Sequence, residues 1–505
     1  MTSFWMHDFH PPARPPVQPG LRFDTVVVGG GLTGLVTALL LAEQGAEVAV
    51  LEAVRLGSVT TGNTTGKVSL LQGTRASRIL GRHSEPVLRD YVRANLDGQQ
   101  WLLRYCAEHD IGVQRAPALT FAQGEAAVPK VRAELDATRA AGLPTRFVED
   151  LEVPFPHFGA VRLDDQAQLH AIELVAALAR DLDARGVPIF EGTRVRGMRQ
   201  AGPDRILLTP HGDLHARTVI LATGTPVLDR GGFFARLTAQ RSYAAVFEVP
   251  GPFPHEMLIS ADEPTRSLRS VPSPRGDLLL VGGYGHEVGR DHAGQHAEDL
   301  VAWTQRTFPG AQPLFQWSAQ DYYPVGELPY AGPLLPWQHN VFVATGYAKW
   351  GLTNAVAAAH VLVGTITGKQ PDWAPVFATW NARDLGSPAA ILRTNGPVAL
   401  HMSAGWLGFA VRDAFRGPGA PAEGEGRVER HGLEPTAVCT VGGRTRAVSA
   451  VCPHLGGILR WNRAEQSWDC PLHGSRFGYD GTLLEGPATR SLPAEPGSGT
   501  ADERG

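Results

Sequence analysis

Two short segments near the carboxyl end constrain this chain most: Cys452-Pro-His454 and, after fifteen intervening residues, Cys470-Pro-Leu-His473. Two thiolates and two imidazoles at this spacing match a [2Fe–2S] centre in which two cysteines hold one iron and two histidines the other. Neutral imidazoles in place of anionic thiolates lower the negative charge of such a cluster. Its potential rises to roughly −150 to +300 mV, against about −400 mV for an all-cysteine cluster. A chain with this centre moves electrons. The alternative is a Cys2His2 zinc site, which shares the ligand set. Zinc sites of that composition, however, usually pair Cys with Cys and His with His, whereas here each half mixes the two.

The flanking residues favour the cluster. Ala450-Val451-Cys452-Pro-His454-Leu455-Gly456-Gly457 and Ser467-Trp468-Asp469-Cys470-Pro471-Leu472-His473-Gly474-Ser475-Arg476-Phe477 resemble the two ligand loops of the Rieske family, and Asp480-Gly481 with Gly486-Pro487-Ala488 resemble the turns after them. The resemblance implies Cys452, His454, Cys470 and His473 as iron ligands. Glycines beside the ligands would let the backbone approach the sulfurs and donate hydrogen bonds to them. Gly457 and Leu472 depart from the respiratory-complex pattern, which has a disulfide there. Phe477 stands where some high-potential members carry a tyrosine hydroxyl, although Ser475 keeps one candidate donor. The resemblance therefore implies a potential below the respiratory kind.

With 505 residues, 43% hydrophobic and 19% charged, the chain can bury more than one core, and its length fits about two to four domains. A net charge of −4 and the lack of a polybasic block argue against a nucleic-acid partner. Of four cysteines, Cys106 and Cys439 remain. They read as buried apolar residues rather than a disulfide, which fits a reducing cytoplasm. Residues 1–21 form a proline-rich arm with charged residues where a signal peptide would need an apolar core. The most apolar stretch, Pro397 to Phe415, is interrupted by His401, Arg412 and Asp413, so it reads as a helix between domains and not as a membrane span.

After the arm, Asp24 to Val28 reads as an apolar strand running into Gly29-Gly30-Gly31-Leu32-Thr33-Gly34 and a helix from Leu35 to Gln44. This is a Rossmann opening. Gly29, Gly31 and Gly34 allow the tight turn, the approach of a pyrophosphate and the packing of helix on strand, while the helix amino terminus offers unpaired N–H groups. A second strand, Ala46 to Leu51, ends in Glu52, placed to bind a ribose hydroxyl at the expected interval of about 20 residues.

Two further segments, Val219-Ile-Leu-Ala-Thr223-Gly224-Thr-Pro226 and Val341-Phe-Val-Ala-Thr345-Gly346-Tyr-Ala-Lys-Trp-Gly351-Leu352-Thr353-Asn354, resemble late cofactor segments of the D-amino-acid-oxidase-like flavoproteins. Thr60-Thr-Gly-Asn-Thr64-Thr65-Gly66-Lys67 resembles the loop beside pyrophosphate and isoalloxazine in that family, and Glu191 to Val195 its strand near adenine. The likeness implies FAD, and covers nearly the whole chain once the Rieske region is added. The fold it implies is an α/β Rossmann-type FAD-binding domain with an interleaved α+β substrate domain, followed by a small all-β Rieske domain. The expected boundaries are an oxidoreductase domain at 22–370, a bridge at 371–425, the Rieske domain at 426–493 and a disordered tail at 494–505. Within the first, about 22–80, 165–225 and 338–370 are assigned to flavin and the rest, including Glu85 to Ala141, to substrate.

Other residues carry less. His292 and His296, with Glu287 and Asp291 nearby, read as a polar helix start before a metal site. Arg241, Arg269, His286, Tyr323 and Tyr330 read as structural. Lys67 is the candidate for a cation beside the flavin that would stabilise the reduced, anionic ring; a plain phosphate contact is the alternative. The expected reaction is oxidation of a small amine or amino-acid-like compound, with electrons passing between flavin and cluster and on to a one-electron partner such as a ferredoxin, cytochrome or quinone. The rival expectations are reverse flow, from cluster to flavin, and a redox module without turnover. Because Gly457 and Leu472 cannot form a disulfide, strong thiol reductants should leave the cluster's visible spectrum and thermal stability nearly unchanged at neutral pH. Thiol-induced cluster loss would expose a structural disulfide elsewhere.

Overall fold

Apolar runs without alternation need cover on both faces. In the computed structural model, which describes residues 1–228, 231–290, 293–381, 419–431 and 434–494, such runs lie side by side. Val341–Thr345, Leu214–Leu221, Arg22–Val28, Val48–Leu51 and Ile189–Phe190 pair in parallel in that order. Alternate residues point to opposite layers. Val27, Val50 and Ile220 pack with Leu35 and Leu39 of helix Leu32–Glu43 and with Val356 of helix Gly351–Thr367. Val26, Val28 and Val219 pack with Val17 of the arm and Met198 and Leu207 of a hairpin.

A second, nine-stranded sheet runs in the order Gln312–Pro324, Leu237–Glu248, Leu278–Glu287, Arg266–Val271, Met257–Ser260, Val113–Phe121, Ala160–Leu169 and Lys67–Val68, with Arg146–Val148 beside Ala160–Leu169. The pairing corrects the sequence assignment in detail. Lys67–Val68 and Ala160–Leu169 bond to each other in this sheet, not in the flavin sheet, because inter-strand hydrogen bonds that no local pattern encodes decide membership. Helix Glu85–Glu108, assigned to the substrate side, lies along helix Gly351–Thr367. A Cβ on Gly98 would fall 2.4 Å from Thr353 O.

Residues 419–431 and 434–494 fold separately into a three-stranded sheet (Gly426–His431, Glu434–Val441, Arg444–Ser449) and a four-stranded one (Arg460–Asn462, Ser467–Asp469, Arg476–Gly478, Leu483–Glu485). Their shared core holds Trp468, Phe477, Ala437 and Leu459. The expected helix within 397–415, most of the bridge, His292 and the tail lie outside the described residues. Glu191 to Val195 follows strand Ile189–Phe190 instead of forming one. The arm was underestimated: helix Phe4–His7 buries Trp5, whose indole N–H donates to Thr64 O at 2.6 Å, and the Ser3 hydroxyl donates to Gly62 O at 2.6 Å.

Helix Arg75–Leu80 is capped by a side chain distant in sequence: Glu134 accepts from the N–H of Ala76 (3.1 Å) and Ser77 (2.8 Å). Burial raises the Glu134 carboxyl from 4.5 to about 7, against the pull of these donors. A carboxyl raised by folding stabilises fully below its unfolded pKa and less as pH climbs to the folded one. Stability should therefore decline between pH 4.5 and 7, by about 3 kcal/mol at 1.36 kcal/mol per unit. Glu134→Gln should flatten that slope in denaturant titrations at several pH values, although it forfeits one of the two acceptors.

Candidate functional site: a cofactor cleft joined to a cluster domain

The two Cys-His loops are built alike. The N–H of Cys452 donates to Gly457 O (2.9 Å) and that of Gly456 to Cys452 O (3.0 Å); Cys470 donates to Ser475 O (2.8 Å) and Gly474 to Cys470 O (3.1 Å). Gly456 and Gly474 close the loops at φ +73° and +80°, a region costly for other residues. The ligands sort by type. The thiols of Cys452 and Cys470 hydrogen-bond each other, and the rings of His454 and His473 face edge to face-on with centroids 5.1 Å apart. Among the described residues no three His, Cys, Asp or Glu side chains converge on one ion position, as a single zinc would need. A thiol pair and an imidazole pair suit two irons with two protein ligands each.

Donors surround the sulfurs. Cys452 is held below the usual thiol range, first by the Cys470 thiol, then by the N–H groups of His454 and Leu455 and the Ser475 hydroxyl, against desolvation. Cys470 is pushed up by Cys452 and by burial. Ser475 thus reaches the sulfur as a donor, as the sequence suggested. A Cβ on Gly457 would meet Leu472 Cδ1 at 2.7 Å, so an apolar contact fills the space of the missing disulfide. All four cysteines are free. His473 is 7% exposed with its ring edge on Phe234 at 5.5 Å, while His454 is half-buried beside Leu455, which is 40% exposed.

The dinucleotide cleft shows its reasons in its contacts. A Cβ on Gly34 would lie 1.9 Å from Gly29 O, and one on Gly29, at φ +118°, 2.3 Å from Ala222 O; helix and strands touch through backbone. Gly31 is the helix N-cap, with only Thr61 Oγ1 near a would-be Cβ at 3.1 Å. The Glu52 carboxylate accepts from Gly30 N–H (2.7 Å) and Val54 N–H (2.8 Å) at the cleft, its pKa raised by burial. Val195 is buried on the same side. Thr345 Oγ1 donates to Gly224 O at 2.5 Å and Thr223 Oγ1 to Thr225 O at 2.6 Å, tying the two Ala-Thr-Gly turns together. Gly346 turns at φ +83°, and Gly351 begins the helix whose amino terminus faces this cleft. The Thr353 hydroxyl is engaged by Asn95 Oδ1 at 2.6 Å, so only its backbone could serve a cofactor.

A cavity of about 330 Å³ opens beside these turns, lined by Thr64, Thr65, Lys67, Tyr323, Lys349 and Leu352 among others. Lys67 Nζ donates to Leu258 O (3.2 Å) and to Ser267 Oγ. Burial, then the neighbouring Arg269, holds it well below the usual lysine range. Sequence reasoning missed Arg75, Arg78 and Lys349, which add positive charge to the lining, where Glu263 is the carboxylate. Arg75 and Arg78 share Glu327 at 2.5 and 2.7 Å. An Arg-x2-Arg pair just past the Thr64–Lys67 loop was the available signal. His286 stacks on Tyr243 (5.7 Å) and Tyr330 lies under Arg236 (4.2 Å).

The cluster domain meets the second sheet in a buried charge network. Arg241 pairs with Glu465 and Glu485, each at 3.4 Å, and Arg476 pairs with Glu465, Asp469 and Glu485. Desolvation would raise Glu465, yet the two arginines hold it at about 2.

This fold and site define a flavin-dependent oxidoreductase carrying an iron–sulfur domain. The chain belongs to the FAD dependent oxidoreductase (DAO) family, which it matches over residues 24–364, and residues 421–496 match the Rieske [2Fe-2S] domain; its cofactors are FAD and a [2Fe–2S] cluster. It is 28% identical over 494 residues, 97% of this chain and 96% of the other, to the Rieske 2Fe-2S iron-sulfur protein YhfW of Bacillus subtilis. Glycine oxidase of Geobacillus kaustophilus superimposes with a TM-score of 0.61 at 20% identity, over 72% of this chain and 99% of that one. L-amino acid deaminase of Proteus vulgaris does so with 0.59 at 14%, over 73% and 100%. No described helix is long and apolar enough to cross a membrane.

Gly34→Ala should prevent FAD retention and lower the melting temperature, because its methyl would collide with a strand carbonyl. Gly31→Val should lose FAD with less change in the apoprotein. Absorbance at the flavin bands and thermal melts distinguish the two.

Proposed function

We propose that this protein oxidises a small amine bearing a carboxylate, an amino-acid-like substrate, and sends the electrons singly through the cluster to a one-electron acceptor. The observation that carries this reading is the packing of the inward cluster loop against the same body that holds the cation-lined cavity. Among the proteins of similar fold are a glycine oxidase and an L-amino acid deaminase, which supports the substrate class.

In this reading Gly29, Gly31, Gly34 and Glu52 hold the pyrophosphate and ribose of FAD. Val195 lies towards the adenine, and Thr64, Thr65, Lys67, Thr223, Gly224, Thr345, Gly346, Gly351, Leu352 and the Thr353 backbone hold the rest. Cys452, His454, Cys470 and His473 hold the irons. When bound, FAD would supply a hydride acceptor for oxidation of the amine to an imine, with loss of the amine proton, and the cluster would supply a one-electron carrier. Arg75, Arg78 and Lys349 attract and orient the carboxylate. Lys67 and Arg269 lie beneath the loop expected beside the ring; burial and Arg269 disfavour the charged form of Lys67, so Arg269, lowered only to about 9, would supply most of the positive charge that favours the reduced anion. The half-buried His454 edge faces the external acceptor, a ferredoxin, cytochrome or quinone. Cys106 and Cys439, buried and without a disulfide, suit the reducing cytoplasm.

Cys452→Ser tests the relay. The variant should lack the cluster yet keep FAD, and amino acids that bleach wild-type flavin anaerobically should still bleach it in one turnover. Steady-state reduction of a one-electron acceptor should fall more than tenfold. Wild-type turnover with every acceptor tried would show that electrons leave elsewhere, and cluster reduction that precedes flavin reduction would reverse the direction.

A further inference from the structure

The contact between the cluster loops and the oxidoreductase body is built like a protein interior. Gly289, at φ +67° after strand Leu278–Glu287, would place a Cβ 2.8 Å from Pro471 N and 3.1 Å from Asp469 O. From the other side, a Cβ on Gly474 would lie 2.4 Å from Ala239 Cβ and 2.9 Å from Gln320 Nε2. The two backbones leave no room for a methyl group. Direct bonds reinforce this approach. Gln320 Nε2 donates to Gly474 O (2.8 Å) and to Tyr322 OH (3.0 Å), Tyr322 OH donates to Gly486 O (3.3 Å), and Arg290 Nε donates to Pro471 O (3.1 Å).

Tyr322 links the two sites. Its ring lies over Gly224 in the first Ala-Thr-Gly turn, where an added Cβ would sit 3.5 Å from Cε2. Its carbonyl accepts from Ala348 N–H at 3.2 Å, and it lines a small gap together with Phe234, Pro487 and His473. The histidine ligands are thus unequal: His473 is buried against the body, and His454 is half-buried.

We propose that the cluster domain is permanently docked, with His473 as its inward electron port and Gln320 and Tyr322 as the residues that position it. The port deepens the relay reading and rests on it. A single electron crosses at a time, oxidising the flavin side and reducing one ferric iron; no bond forms or breaks at the contact, and the external acceptor takes the electron on. A tethered domain that swung between partners would need a loose, hydrated contact, which backbone packing of this kind denies.

The test uses the full holoprotein. Amides of Cys470, Leu472, His473, Gly474, Ser475, Gly486 and Ala488 should be protected from hydrogen exchange equally in the oxidised and reduced states. Gly289→Val should raise their exchange while leaving the flavin bands and the cluster's electron paramagnetic resonance spectrum unchanged. After photoreduction of the flavin, electron arrival at the cluster should slow by an order of magnitude or more in this variant. Should Gly289→Val fail to fold, Gln320→Leu and Tyr322→Phe, which delete the bonds to Gly474 and Gly486 without adding bulk, should show the same pattern in smaller degree. Rapid exchange in the wild type would overturn permanent docking, and undocking without slower transfer would overturn the port. Absence of any flavin-to-cluster transfer in the wild type would be a different result, since it would remove the relay itself.

Discussion

Two halves of this molecule are held together by charges taken out of water. Arg241, 1% exposed, and Arg476, 5% exposed, stand among Glu465, Asp469 and Glu485. Burying ions is costly unless geometry and hydrogen bonds compensate, and here Ser318 bonds Arg241 at 2.9 Å while Asn462 and Ser467 bond Asp469 at 3.0 and 2.9 Å. Such a network tolerates one arrangement and penalises displacement, because each separated partner would remain as an uncompensated buried charge. It thereby fixes register between domains that an apolar patch would leave free to slide.

A second set of buried basic groups has hydrogen bonds but no carboxylate partner among the described residues. Lys67 and Arg269 lie close together, and Arg269 is pushed down to about 9 by burial, with His170 nearby lowered to about 4 by burial and then by Arg269. Arg269 donates to Thr65 O at 2.7 Å and lies over Trp5 at 5.5 Å, while Trp5 donates to Thr64 O. The arm and the second sheet thus grip the Thr64–Lys67 loop from two sides and load it with positive potential. That potential is available to a ligand that gains negative charge, as a flavin does on reduction, and the cost of holding it is met by the surrounding fold.

Much of this protein could be read from residues in order. The glycines of the Rossmann turn, Glu52 at its interval and the mixed Cys-His pairs are local: each needs only neighbouring backbone to do its work, so spacing pointed to a dinucleotide and to a mixed-ligand iron–sulfur centre, while FAD and the broad fold came from the family resemblance of the flanking segments. The identity of Gly34 as a packing glycine followed from the same locality, and Ser475 as a candidate sulfur donor from the Rieske resemblance. The helix expected at Leu35–Gln44 runs from Leu32 to Glu43, displaced by less than a turn, since capping geometry depends on the chain's exit angle more than on composition.

Contacts between segments from about 60 to more than 200 residues apart were decided only in three dimensions. Arg241 and Glu465, Gly289 and Pro471, Trp5 and Thr64, and Glu134 and Ala76 have no common sequence signal, because each pair is brought together by sheet pairing and burial. The cationic lining of the cavity was hidden for the same reason: Arg75, Arg78 and Lys349 acquire meaning when the second sheet folds beside the flavin turns. Sequence determined which cofactors the chain can take, since cofactor binding is written in short loops. Tertiary structure decided how the two sites face each other, since that depends on long-range packing in which side-chain volume and buried charge admit a single solution.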